Sequence, residues 1–181
     1  MSGRGLAVQA GNGAAADAAL ERRRAVRQWL LMAADDLSRA QREWREESVA
    51  LLRCGGLWGV VYIEGALVYA AAGTDDPAAV DQYLARTLRG PVFANLLRHS
   101  YYVLTPTSTG HHLAWTRPRD DAYYMGTGHY LAVPTPDRTD PSQRRYWCVE
   151  ANRPGALVAT DVVTALVQAG RDRLVSEPGE H

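Results

Sequence analysis

The most informative part of this chain lies at residues 101–136, which contain T-P-T-S-T-G-H-H-L-A-W at 105–115 and M-G-T-G-H-Y-L-A-V-P-T-P at 125–136. In the first segment a proline and small residues predict a turn, and His112 then opens a predicted strand over residues 112–116. In the second segment a glycine-rich turn leads into a predicted strand over residues 129–133 that ends in prolines. Both segments therefore predict short strands separated by turns.

The flanking sequence adds further strands and helices to this pattern. Apolar stretches predict strands at 57–63, 66–72, 100–104 and 145–149, the first two joined as a hairpin at Glu64 and Gly65. Asp76 and Pro77 predict the start of a helix that runs to residue 88, and further helices are predicted at 92–98 and 160–174. This order of elements predicts an α+β fold with a mixed or antiparallel sheet and flanking helices.

The N-terminal part has a different pattern. Residues 1–16 are rich in glycine and alanine and predict a disordered tail. Residues 17–52 predict a long N-terminal helical segment, either one helix or two, with an apolar stripe formed by Val26, Leu30, Ala33, Leu37, Ala40 and Trp44. The predicted α+β domain then occupies residues 53–175, and a polar tail follows at 176–181.

Composition limits the classes of protein to consider. The chain has 181 residues and a formal net charge of zero, so no global field attracts nucleic acid, and any such contact needs a local patch. The two cysteines have no zinc-binding spacing, and no apolar run is long enough to span a bilayer. We therefore expect a cytoplasmic protein with no membrane partner.

The two segments resemble, in the same order, the N-terminal domain of bifunctional DNA primase-polymerases of the archaeo-eukaryotic primase group, including short primase-polymerase-like proteins of actinobacteria. The residues that match are Ser108, Gly110, His112 and Leu113 in the first segment and Gly126, Gly128, Tyr130, Pro134 and Pro136 in the second. Cys54-Gly55-Gly56 also matches a Cys-Gly segment of the short proteins. The resemblance implies that Ser108, Gly110, His112, Gly128 and Tyr130 contact a nucleotide.

The metal-binding carboxylates of such polymerases are missing at the matching positions. Two metal ions held by carboxylates are needed to activate the attacking oxygen and to stabilise the leaving group. The strand at 57–63 has no carboxylate, and Tyr123 occupies the position of the third acid. We therefore expect no catalytic residue, metal site or cofactor. Mg²⁺ or Mn²⁺ would be bound only if Glu64, Asp120 and Asp121 formed a relocated metal site.

The resemblance implies a non-catalytic primase-polymerase-like protein that acts in DNA replication or its regulation, as a replication activator or accessory factor of an actinobacterial plasmid or integrative element. The expected partners are DNA, a nucleotide or a replication initiator protein. Two alternatives stay open: an active small primase or nucleotidyltransferase with the relocated acidic site, and a protein-interaction module built on the N-terminal helix.

Two groups of residues have competing interpretations. Arg22, Arg23, Arg24 and Arg27 are predicted to contact DNA phosphates, although nearby acids also fit a solvated face of mixed charge. His112 alternates with apolar neighbours, which also fits a structural histidine. Aromatic side chains surround the predicted cleft and offer rings for base stacking or for core packing: Tyr101, Tyr102, Trp115, Tyr123, Tyr124 and Tyr130.

Overall fold

The computed structural model describes residues 4–176, and it confirms an α+β fold with antiparallel sheets and flanking helices. The helices are α1 (Arg4–Leu31), α2 (Leu37–Glu46), α3 (Gly65–Ala72), α4 (Pro77–Leu88) and α5 (Thr160–Ser176). The strands are β1 (Val49–Arg53), β2 (Gly59–Glu64), β3 (Val92–Asn95), β4 (Ser100–Thr105), β5 (Ala122–Met125), β6 (Tyr130–Pro134) and β7 (Arg145–Val149).

The centre of the fold is a five-stranded antiparallel sheet in the order β5-β2-β4-β3-β7. Because side chains alternate along a strand, each strand contributes to both faces of this sheet. On β2, Val61 and Ile63 point to one face, where they are fully buried with residues of α3, α4 and α5. Val60 and Tyr62 point to the other face.

That second face is only partly covered. Strands β1 and β6 form a separate antiparallel pair, and they pack over it together with α2 and the C-terminal part of α1. Trp44 of α2 donates its Nε1–H to the Val133 carbonyl of β6 at 2.9 Å, which fixes this helix on the strand pair. The remainder of the face forms the groove described below.

The N-terminal part differs from the sequence prediction in two places. Helix α1 already begins at Arg4, inside the predicted disordered tail, because its many alanines have the highest helix propensity of any residue. The predicted helical segment is interrupted near Asp36, which caps α2, and residues 49–53 form strand β1 instead of helix. Of the predicted apolar stripe, Leu37 is 52% exposed, and the other members are buried. Residues 1–3 and 177–181 of the predicted tails lie outside the described residues.

Four further predictions are wrong. Residues 66–72 form helix α3 and not a hairpin strand, since a short, fully apolar run fits a buried helix as well as a strand. Residues 92–95 form strand β3 instead of a helix. The strand expected at 112–116 is replaced by a 3-10 helix at Leu113–Trp115, and strand β5 lies in a segment predicted as turns.

The other predicted elements are confirmed within one or two residues. Asp76 caps α4 by accepting from the Ala79 amide at 3.0 Å, and Pro77 is the first residue of that helix. Strands β4, β6 and β7 and helix α5 also form where the sequence predicts them. Among residues 4–176, no helix combines the length and the apolar character needed to cross a bilayer.

Candidate functional site

An aromatic side chain stands at matching positions on all strands of the central sheet. The strand register places Tyr62 of β2 opposite Tyr123 of β5 and opposite Tyr102 of β4. It also places Phe93 of β3 opposite both Tyr102 and Trp147 of β7. These residues form one continuous row from one edge strand to the other, which we call the aromatic row.

Neighbouring rings in the aromatic row are in contact. Tyr62 stacks on Tyr123 with 4.6 Å between ring centroids, and Phe93 stacks on Tyr102 at 4.9 Å. The contacts between Tyr62 and Tyr102 (5.7 Å) and between Phe93 and Trp147 (5.2 Å) are edge-to-face. Both arrangements are favourable for aromatic rings, so these contacts stabilise the row.

The row is covered at one end and open at the other. Phe93 and Trp147 are buried, and Trp147 donates its Nε1–H to the Pro134 carbonyl of β6 at 3.1 Å. The three tyrosines are only partly buried. They line a groove of about 490 Å³ whose walls are Tyr62, Arg98, Ser100, Tyr102, Asp120 and Tyr123. We call this groove the tyrosine groove.

Two of the phenols that line the groove, those of Tyr62 and Tyr123, have a raised pKa. Burial raises the pKa of Tyr62, and the neighbouring Tyr102, Tyr123 and Glu64 raise it further, whereas Arg98 acts in the opposite direction. Burial, followed by the effect of Tyr102, also raises the pKa of Tyr123. These side chains therefore present uncharged rings and hydroxyl groups at neutral pH.

The predicted nucleotide-binding residues of the first segment lie on 3-10 turns beside the sheet. Ser108 and His112 are exposed, and the His112 Nδ1 accepts from the Ala114 amide at 3.3 Å, so the imidazole caps the following turn. Gly110 is half-buried, and a Cβ at this position would collide with the ring of Tyr124. His112 thus has a structural role as the cap of a turn, and Gly110 is needed because the Tyr124 ring leaves no room for a Cβ atom.

The predicted residues of the second segment do not join that group. Gly128 is exposed, with a φ of +92° that favours glycine. Tyr130 donates its hydroxyl to Asp35 Oδ2 at 2.6 Å and lines a different groove, between α2 and β1. It therefore contacts the residues that precede α2 and not the turn that carries Ser108 and His112.

The two informative segments nevertheless meet around Tyr124 of β5. Gly59, Gly110 and Gly126 each approach its ring so closely that a Cβ would collide with it. The Tyr124 hydroxyl donates to the Thr107 carbonyl at 3.0 Å. Glycines from both segments thus position β5, the strand that carries Tyr123 at the open end of the aromatic row.

The predicted DNA-binding arginines lie on α1 among acidic and aromatic neighbours. Arg23 pairs with Glu150 at 3.0 Å, Arg24 pairs with Glu21 at 2.9 Å, and the Arg27 guanidinium lies 4.8 Å from the centre of the Trp44 ring. Arg22 is exposed beside Arg23 and Glu150. Acidic side chains thus lie among these arginines, as in the solvated face of mixed charge that was the alternative to DNA binding.

The acids proposed for a relocated metal site are neighbours in the backbone, since the Glu64 amide donates to the Asp121 carbonyl at 2.8 Å, but their side chains have different partners. Asp121 accepts two hydrogen bonds from Arg171, with Nε–Oδ2 of 2.9 Å and Nη2–Oδ1 of 2.8 Å, and these bonds lower its pKa. Asp120 lines the tyrosine groove, and Glu64 is exposed at the end of β2. Across residues 4–176, no group of three or more His, Cys, Asp or Glu side chains is arranged to hold a metal ion.

The sequence pointed to part of the tyrosine groove. Tyr102 and Tyr123 belong to the predicted aromatic cluster and line the groove, whereas Tyr101 and Trp115 are buried on the opposite face of the sheet. Tyr62 and Arg98 were missed. Alternation along β2 would have placed Tyr62 on the same face as Val60, but only the strand register brings it next to Tyr123.

No protein-family model, curated protein or solved structure matches this chain.

Proposed function

We propose that this chain is a non-catalytic primase-polymerase-like protein that acts in DNA replication or its regulation, and that it binds single-stranded DNA in the tyrosine groove. A replication initiator protein is the expected partner on the DNA. The proposal rests on the resemblance of the two informative segments to primase-polymerases and on the chemistry of the groove.

One observation carries the proposal. Tyr123 occupies the position at which the resemblance calls for a metal-binding acid, and its ring stacks 4.6 Å from that of Tyr62, on the strand where the other acids are expected. By that resemblance, stacked rings stand where carboxylates would hold the metal ions. This substitution favours retained binding of bases without phosphoryl transfer.

The form of the groove favours a single strand over a duplex. In a duplex the faces of the bases are covered by their neighbours, whereas an unpaired base can lie flat on an exposed ring. Tyr123 on edge strand β5 is the outermost ring of the row and has another ring of the row on one side only. Its outer side offers such a surface without a sequence requirement. A protein that binds an opened strand in this way suits a role at a replication origin.

The active-enzyme alternative has less support. Its relocated site needs Asp121 as a ligand, and both oxygens of that carboxylate already accept hydrogen bonds from Arg171. Binding a metal there would require breaking a bidentate ion pair. We therefore favour binding without polymerisation.

The test compares binding to a labelled oligothymidylate of on the order of 12 nucleotides with binding to a matched duplex, followed by fluorescence anisotropy. We expect the single strand to bind more tightly. We expect Tyr123→Leu to weaken binding by about tenfold, since stacking of one base on a ring contributes about 1–3 kcal/mol.

Tyr83→Leu is the matched control. Tyr83 is a half-buried tyrosine on α4, packed on the opposite face of the sheet. Equal binding by the Tyr123→Leu variant and the wild type would refute a role of the groove. Primer extension with Mg²⁺ or Mn²⁺ that disappears in Asp121→Ala would refute the non-catalytic part of the proposal.

A further inference from the structure

Two arginines lie beside the tyrosine groove without a carboxylate partner. Arg98 lines the groove in the turn between β3 and β4. Arg145 begins β7 opposite Asn95, on the face of the sheet that carries the aromatic row. Ion pairs elsewhere in residues 4–176 involve other arginines, and neither Arg98 nor Arg145 forms one.

Arg98 and Arg145 both lie next to Asn95 at the end of β3, because the Arg98 amide donates to the Asn95 carbonyl at 3.1 Å and Asn95 stands opposite Arg145 in the strand register. Burial lowers the pKa of Arg145, and the positive charges of Arg98 and Arg138 lower it further, while Tyr102 acts in the opposite direction. An arginine stays protonated even with such a shift. The face therefore holds neighbouring positive charges that repel each other, and an anion between them would remove that repulsion.

The carboxylates near this position leave the arginines available. Asp120 lines the same groove, and Glu64 lies across from Ser100 in the register of β2 and β4. Neither forms an ion pair with Arg98 or Arg145. Arg138, the third positive neighbour, donates its guanidinium hydrogens to the carbonyls of Arg145 and Gln143.

A buried amide lies between the two arginines at the end of β3. Asn95 is only 3% exposed, and its Oδ1 has no hydrogen-bond partner. In the strand register it stands between Ser100 and Arg145, and it alternates with Ala94 so that it shares the face of Phe93. A buried amide oxygen without a partner is destabilising. A phosphodiester has no hydrogen to donate to this oxygen, so a donor from DNA would have to be an N–H group of a base.

We propose that Arg98 and Arg145 hold a backbone phosphate of single-stranded DNA, and that the adjoining bases occupy the tyrosine groove. This inference rests on the proposed function and adds where the DNA backbone lies relative to the bases. The strand crosses the sheet with its bases on the tyrosines and its backbone toward the β3–β4 turn. Guanidinium groups suit this role because their planar donors match the oxygens of a phosphate.

The test measures binding of a labelled oligothymidylate as a function of salt concentration. Arg98→Gln and Arg145→Gln keep much of the side-chain length and remove the charge. We expect each substitution to raise the dissociation constant about five- to tenfold. A plot of log affinity against log salt concentration has a negative slope. We also expect each substitution to make that slope shallower by about 0.7, the value for one phosphate contact on a single strand.

A second oligomer with uncharged methylphosphonate linkages separates the two proposals. The wild type and both arginine variants should bind this oligomer equally, because it still has bases to stack but no charged phosphate. Arg117→Gln, an exposed arginine outside the groove, is the control and should match the wild type. Thermal unfolding of each variant checks that the half-buried Arg145 position tolerates the change.

The outcomes are distinguishable. If Tyr123→Leu weakens binding and Arg98→Gln and Arg145→Gln leave affinity and salt slope unchanged, the phosphate site is wrong and the tyrosine groove stands. If the arginine variants lose affinity equally for charged and uncharged oligomers, their role is not contact with a phosphate. If no oligomer binds, both proposals are refuted.

Discussion

The two ends of the aromatic row carry similar side chains in different surroundings. At the covered end, Phe93 and Trp147 are buried under strand β6 and the N-terminal helices. At the open end, the rings of Tyr62 and Tyr123 stack on each other but leave a groove above them. The covering elements therefore decide what an aromatic ring contributes: stability where it is covered, and a surface open to solvent where it is not.

Replacing an aromatic side chain with alanine should lower the free energy of unfolding much more at the covered end of the row than at the open end. We expect Phe93→Ala to lower the free energy of unfolding by about 3–5 kcal/mol, since it leaves a cavity among fully buried groups. Tyr123→Ala on edge strand β5 should cost about 1–2 kcal/mol. Urea denaturation followed by far-UV circular dichroism measures both values. Equal costs would mean that the covered and open ends do not differ as described.

The glycines around Tyr124 offer a way to disturb the open end alone. Gly110→Ala should lower the free energy of unfolding by about 1–3 kcal/mol, because the new methyl group would collide with a ring whose hydroxyl is bound to Thr107. Gly56→Ala is the control, since its Cβ would enter open space. Thermal unfolding compares the two variants. A Gly110→Ala protein as stable as wild type would remove the role assigned to this glycine.

The smallest effect is expected at the ion pair that joins β5 to α5. Hydrogen bonding to Arg171 lowers the pKa of Asp121, so the pair stabilises the fold above the unfolded-state value of about 3.9. This contribution is lost as the pH falls through the lower, folded-state pKa. Asp121→Asn should therefore cost about 1 kcal/mol at pH 7.

Urea denaturation of both proteins between pH 7 and pH 2 checks this expectation. The difference between wild type and Asp121→Asn should shrink once the pH falls below about 4. A difference that stays constant over this range would assign the effect to packing and not to the charge of Asp121.

Some elements were predictable because their signals are local. Helix α4 has a capping aspartate followed by a proline, and these two residues determine its start without help from the rest of the fold. Strand β4 forms where the apolar stretch of residues 100–104 predicts a strand. Local hydrogen bonds and apolar composition are sufficient at these two places.

Other elements depend on what surrounds them. Helix α3 consists of small and apolar residues that would also suit a strand, and its packing on α5 decides between the two. Strand β5 is short and carries two tyrosines between turn residues, so only its pairing with β2 identifies it. Leu113 is 87% exposed, which shows why an apolar neighbour of His112 was a misleading sign of a strand.

The candidate site follows the same division. The turns and glycines of residues 105–136 were visible in the sequence, and they do surround one residue, Tyr124. The tyrosine groove was visible only in part, because Tyr62, Tyr102 and Tyr123 are far apart in the chain and meet through the register of three strands. Register depends on pairing between distant segments, and no local pattern specifies it.

The spacing of the rings in the aromatic row has an optical consequence. Centroid distances of 4.6 to 5.7 Å are short enough for the electronic transitions of adjacent rings to couple, which gives signals in near-ultraviolet circular dichroism. A base inserted at the open end would alter the coupling of Tyr62 with Tyr123 and leave that of Phe93 with Trp147 unchanged. If the proposed function holds, a change in the tyrosine region of this spectrum without a change in the tryptophan region would indicate an occupied groove in an intact fold, although all nine tyrosines and five tryptophans contribute to the signal.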